Sequence, residues 1–103
     1  ERGIRTFETH TRNTLDIAAV PAIKRLSHLP ILVDPSHAVG DWHYVAPASL
    51  AALAAGADGL LVEIHPEPAL AKSDGKQTLT FPRFEALLAR LRAIAPHLGV
   101  EVV

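Results

Sequence analysis

An α/β fold with parallel strands is what this sequence predicts, on three observations. Two short apolar runs, in PILVD ending at Asp34 and in GLLVEIH ending at His65, do not alternate with polar residues, the pattern of parallel strands covered on both faces. Stretches with apolar residues at helical spacing separate and follow them. The apolar content is 49% with a mean hydropathy of +0.20, so the 103 residues are expected to bury a core as one domain, or a piece of one, over 1–103.

Taken in order, GIRTF at 3–7 is β-rich and short and is read as the first strand. The polar ETHTRNT is a loop that leads into the helix-starting residues Thr14 and Asp16. DIAAVPAIKRL sets Ile17, Val20, Ile23 and Leu26 at helical spacing, with Pro21 near the start of the helix or kinking it. PILVD is the second strand, by length and β-branching. YVAPASLAALAAGA is an alanine-rich helix with Leu50 and Leu53 on one face and Gly56 as its stop. DGLLVEIH is the third strand, and DPSHAVG and PEPALAKSDGKQT are loops.

The clearest helix comes last. Thr80 caps it, Pro82 sits in its first turn, and Phe84, Leu87, Leu88, Leu91 and Ile94 form an apolar stripe, with Arg83, Arg90 and Arg92 on the solvated side. It ends by 96–99, and VEVV adds an extended piece. The order β-α-β-α-β-α implies right-handed crossovers and a parallel sheet. Three strands are too few to close a barrel, which leaves a small open sheet or the last part of a barrel begun upstream.

Composition narrows the function. A net charge of −1 and a pI near 6.7 give no basic field for a nucleic acid, although local arginines could bind specific anions. Without cysteine there is no disulfide and no thiolate ligand from this chain. No apolar run approaches the roughly 18 residues that cross a bilayer, so no membrane partner is expected. With no signal-peptide pattern, a cytoplasmic location is expected. The chain has no methionine and opens on Glu1, so a fragment or a processed product is expected.

Ligands bind beyond the carboxyl ends of parallel strands. Arg2 and Arg5, His37, Glu63 and Asp74 all fall there and could converge. One histidine with two carboxylates is a donor set for manganese, iron, cobalt or zinc. Each residue also has a plain structural reading. His37 could bond a turn carbonyl, Asp34 could cap the loop or orient a ligand histidine, and Asp74 before Gly75 is a turn signal. His65 and Glu67 in HPEP could only shape a loop. Glu63 is harder to explain structurally, because an ionised carboxylate in an apolar strand is costly unless paired or bound to metal. His37 and His43 do not have helical zinc spacing.

ERGIRTFE, VDPSHAVG, AGADGLLVEIHPEPALAKSDG and the closing F..LL..L helix resemble the C-terminal part of the type I-beta 3-deoxy-D-arabino-heptulosonate 7-phosphate (DAHP) synthases. The resemblance runs in order over nearly the whole chain. It implies the last three βα units of a (β/α)8 TIM barrel, and an enzyme joining phosphoenolpyruvate to erythrose 4-phosphate with release of phosphate, the first step of the shikimate route to aromatic amino acids. It implies a divalent metal (Mn, Fe, Co or Zn) held by His37, Glu63, Asp74 and a cysteine of the first strand, which this chain lacks. It places Arg2 on phosphoenolpyruvate; Arg5, Asp34, Ser36 and His65 are further candidates, as supports behind the ligands or as substrate contacts. The remaining phosphate contacts would lie upstream, so the chain alone is expected to be inactive, and the enzyme to be a homo-oligomer. The sister 3-deoxy-manno-octulosonate 8-phosphate synthases share the HPEP…SDG block but resemble this sequence less at ERGIRTFE and DPSHAVG. A non-catalytic α/β module is the reading from another class.

Overall fold

The computed structural model describes all of residues 1–103. Its centre is a pair of short parallel strands, β1 (Leu32–Val33) and β2 (Gly59–Leu60), in register Leu32 to Gly59 and Val33 to Leu60. The amides of Asp58 and Leu61 donate to Ile31 and Val33 at 2.9 and 2.8 Å. On the other side of β1 lies Glu1, whose nitrogen donates to Leu32 (2.8 Å) and whose carbonyl accepts from Asp34 (2.8 Å). Bonds to both sides make β1 the middle strand of three parallel segments.

The first segment therefore runs at Glu1, not over 3–7. Ile4 makes only an isolated antiparallel bridge with Thr14, and the rest of GIRTF is loop. β-propensity there is overridden because the polar loop returning through Thr14 gives one partner residue rather than a strand.

Helix α1 (Ala19–Leu26) holds Pro21 in its first turn, where the missing amide costs nothing. Helix α3 (Trp42–Ala55) starts at the Asp41 cap, accommodates Pro47, and ends at Gly56 in the left-handed region. Helix α4 (Phe81–Ile94) starts at Thr80, whose hydroxyl accepts from the Arg83 amide, and passes into a 3₁₀ turn, Ala95–Leu98. VEVV forms no strand, but Val102 packs on the core.

DPSHAVG, expected as loop, contains a helix, α2 (Pro35–Val39). Asp34 caps it, Pro35 sits at its first position and Gly40 closes it with φ +68°. Five residues are too few for periodicity, so only these terminal signals betray the helix.

Two apolar clusters fill the space between helices and strands. Val20, Ile31, Val33 and Ala52 join α1 and α3 to β1. Val39, Val45, Leu79, Leu87 and Leu91 join α2, α3 and α4, and Leu60 touches both clusters. The opposite face has no such layer: Val33 is 0% exposed while its neighbour Leu32 is 54% exposed, and Leu61, on the Leu32 side by alternation, is exposed too. The expectation of strands covered on both faces is corrected to cover on one face. Helices α1, α3 and α4 pack on the covered side of the sheet, and the molecule measures 40 × 34 × 20 Å. Arg83 also departs from expectation: its guanidinium lies 3.5 Å from the Trp42 ring centroid, because a weakly hydrated planar cation gains from an aromatic face.

Candidate metal centre

Four consecutive residues, Asp34 to His37, build one wall of the site. One oxygen of Asp34 accepts from the His37 amide (2.9 Å) and starts α2, while the other lies 2.7 Å from His37 Nδ1. A carboxylate only accepts, so Nδ1 carries the proton in that bond, and a neutral ring then presents the lone pair of Nε2 outward. Pro35 supplies the first helical residue. The buried Ser36 hydroxyl accepts from the Glu63 amide (3.1 Å), tying the next strand's end to α2.

Glu63 lies three residues beyond β2, outside the apolar strand in which the sequence seemed to bury it. A parallel bridge between Ile64 and Leu79 anchors it, with Leu79 donating to the Glu63 carbonyl (2.9 Å) and His65 donating to Leu79 (3.0 Å). Its Oε1 accepts from Gln77 Nε2 (2.9 Å), and the Thr78 hydroxyl, 3.4 Å from its Oε2, donates to the Asp74 carbonyl (2.7 Å). Asp74 takes φ +54°, a left-handed conformation that aspartate tolerates better than most residues, just before the 3₁₀ turn Gly75–Gln77. Gly75 is required there, since a Cβ would lie 2.5 Å from the Pro68 carbonyl oxygen.

These three segments bring His37 Nε2 to 2.8 Å from Glu63 Oε1 and 3.4 Å from Asp74 Oδ2. One donor atom of each residue lies within 4.8 Å of the others, and the side chains are 21%, 28% and 30% exposed, open enough for a ligand. Metal–ligand distances of about 2.0–2.2 Å put neighbouring donor atoms roughly 2.8–3.6 Å apart around one ion. The histidine contacts match that spacing. The chemistry fits as well: with Nδ1 donating to Asp34, a neutral ring has its Nε2 lone pair on the side of the Glu63 carboxylate, where both could bond a shared cation. One nitrogen and two carboxylates suit a divalent first-row metal.

Arg2 is largely exposed, with Nε 3.5 Å from Asp34 Oδ2. Arg5 lies apart from the triad, its Nη1 donating to the Arg12 carbonyl (3.3 Å). His65 turns into its own loop, Nδ1 accepting from the Glu67 amide (2.9 Å). Sequence reasoning missed Arg12, Gln77 and Thr78. Arg12 Nη1 reaches Asp74 Oδ1 (3.4 Å) and Gln77 Oε1 (3.0 Å) from 62 and 65 residues away. Only the adjacency of Gln77 and Thr78 to SDG pointed to them.

Beside the triad opens a polar cleft of about 700 Å³ whose lining includes Arg5, Arg12, Asp41, Tyr44 and Lys76. The triad itself is not in its wall; Arg12 is the link between the two. Asp41 there is held below the usual carboxylate range, first by the side-chain hydrogen bond of His43 and then by its backbone amide.

Parallel strands that deliver an imidazole and two carboxylates beyond their carboxyl ends define an α/β protein with a candidate site for a divalent cation. A family model described as the DAHP synthetase I family matches residues 1–98, and the chain belongs to that family. It is 60% identical over 102 residues to the phospho-2-dehydro-3-deoxyheptonate aldolase of Thermotoga maritima, covering 99% of this chain and 30% of that protein. It is 35% identical over 94 residues to the 2-dehydro-3-deoxyphosphooctonate aldolase of Nitrobacter winogradskyi, covering 79% of this chain and 33% of that one. The crystal structure of the Thermotoga maritima DAHP synthase superposes with a TM-score of 0.98 at 59% identity, over 100% of this chain and 30% of that one. The chain thus spans about a third of the length of the relatives it matches.

Proposed function

We propose that these residues are the last three βα units of a (β/α)8 DAHP synthase, and that His37, Glu63 and Asp74 are its metal ligands. The enzyme would join phosphoenolpyruvate to erythrose 4-phosphate: carbon 3 of the enol bonds to the aldehyde carbon, water adds at carbon 2, and phosphate leaves. The observation that carries this reading is the convergence of three donor atoms within 4.8 Å from positions 37, 63 and 74. The higher identity to the heptulosonate enzyme, 60% against 35%, supports erythrose 4-phosphate over the five-carbon sugar phosphate of the sister enzymes.

In this role Asp34 fixes the tautomer and angle of His37, and Ser36 holds the Glu63 backbone in place. Arg2, beside Asp34 and otherwise free in solvent, would take the anionic groups of phosphoenolpyruvate and hold its carbon 3 toward the aldehyde. A divalent cation, when bound, supplies polarisation of the aldehyde oxygen. Arg5 and His65 would act at the rim, through the loops they hold. A fourth ligand and the other phosphate contacts would come from the remainder of the barrel, so the 103 residues alone would show no phosphate release from the two substrates.

Titration of the chain with Mn²⁺ in a calorimeter tests the ligand set. The wild type binds weakly, and Glu63→Ala lowers the affinity by at least about tenfold, the minimum expected when removing even an outer partner costs that much. Equal affinities would take Glu63 out of the site.

A further inference from the structure

The buried amide of Gln77 stands apart from the ligand set yet touches it. It is 2% exposed, in a part of the chain that is otherwise loop and 3₁₀ turn. Its Nε2 donates to Glu63 Oε1 at 2.9 Å, and its Oε1 accepts from Arg12 Nη1 at 3.0 Å. We infer that Gln77 is the positioning residue of the metal centre, with Arg12 fixing its amide so that it always offers a donor to Glu63. This inference rests on the metal-site reading above.

The argument is one of donors and acceptors. A flipped amide would set its oxygen against the Glu63 carboxylate and its NH₂ against the Arg12 guanidinium, two repulsions in place of two hydrogen bonds. Arg12 donates only, so the amide has one stable orientation. Glu63 then has an oriented Oε1, occupied on one side by Gln77 and facing His37 Nε2 at 2.8 Å on the other.

A neutral donor suits this place. A lysine or arginine would cancel the negative charge that attracts a cation, and a carboxylate would offer Glu63 no hydrogen bond. An amide orients the ligand and leaves its charge intact. The same Arg12 reaches Asp74 Oδ1 at 3.4 Å, so one exposed guanidinium touches one proposed ligand directly and another only through the Gln77 amide.

Two variants test this, each titrated with Mn²⁺ and examined by the visible absorption of Co²⁺. Gln77→Met keeps the volume but removes both hydrogen bonds; it should lower Mn²⁺ affinity by about 10- to 100-fold and alter the Co²⁺ bands. A packing role alone would lower melting temperature but leave affinity and spectrum unchanged, and that result overturns the inference. Should Gln77→Met fail to fold, Gln77→Glu, which keeps the shape but gives up the donor to Glu63, decides the matter. Adding a negative charge near a cation site should tighten metal binding by simple electrostatics, whereas losing the donor that orients Glu63 should weaken it severalfold. Weaker binding supports the inference, and unchanged or tighter binding overturns it. No Mn²⁺ binding by the wild type overturns the metal-site reading and this inference with it; binding that is equal in wild type and variants overturns this inference alone.

Discussion

Asp34 shows how much one side chain does in this site: with one oxygen it starts α2, with the other it aims His37, and it lies beside Arg2. Gly40, at the other end of α2, is as constrained. It takes φ +68°, and a Cβ there would lie 2.5 Å from the Cβ of Arg12. Gly40→Ala should therefore lose about 1–2 kcal/mol from the left-handed backbone alone, more if Arg12 resists displacement. Urea unfolding measures this, and a variant as stable as wild type would show that the turn or the contact relaxes freely. Glu63 stood out in the sequence because a carboxylate in an apolar strand needs a reason, whereas His37 and Asp74 also had plain structural readings and were singled out by the family resemblance. Gln77 and Arg12 were not. Their bond joins residues 65 positions apart, and no local pattern specifies such a pair.

At the scale of elements, the long periodic helices α3 and α4 followed from apolar spacing, proline position and the glycine or threonine at their ends. The short elements did not. Helix α2 has only its caps, and residues 3–7 have strand composition without a partner strand. Side-chain links between elements were equally hidden, and Asp58 is an example. It accepts from Lys24 Nζ of α1 at 2.7 and 2.9 Å and from the Ile31 amide at 2.9 Å, clamping α1 to the entrance of both strands. The Lys24 side-chain hydrogen bond, then the Ile31 amide, holds its carboxyl below the ordinary range. Because the folded-state value lies under the unfolded one of about 3.9, the clamp stabilises fully above that pH and is lost as pH falls through the folded value. Asp58→Asn should lower the melting temperature near neutrality, and the gap from wild type should close as the pH is taken down through the carboxylate range. A gap that stays constant from neutral to acid pH would mean that the ion pair is not what holds α1.

The molecule as a whole is a sheet with helices α1, α3 and α4 packed on one side. Leu32 and Leu61 lie open, and beside them an apolar groove runs between β2 and α4, lined by Leu61, Val62, Phe84, Leu88 and Val102. In the barrel reading the open face belongs to the interior and the groove to the contact with the neighbouring βα unit. From the sequence, the unbroken apolar run of GLLVEIH implied cover on both faces, and no pattern within the chain could say that the second cover lies outside it. Contiguous apolar surface and a parallel strand edge both favour association in water. The chain alone should therefore sediment as concentration-dependent oligomers. Leu61→Lys, which sets a charge where the open face meets the groove, should shift the distribution toward monomer while leaving the helical circular dichroism unchanged. A wild-type chain that remains monomeric at high concentration would mean that this face is closed in solution by rearrangement within the chain. In that case Glu63, on the same side of the strand as Leu61, would have to move with it, and the Mn²⁺ affinity of the chain would be lost together with its tendency to associate.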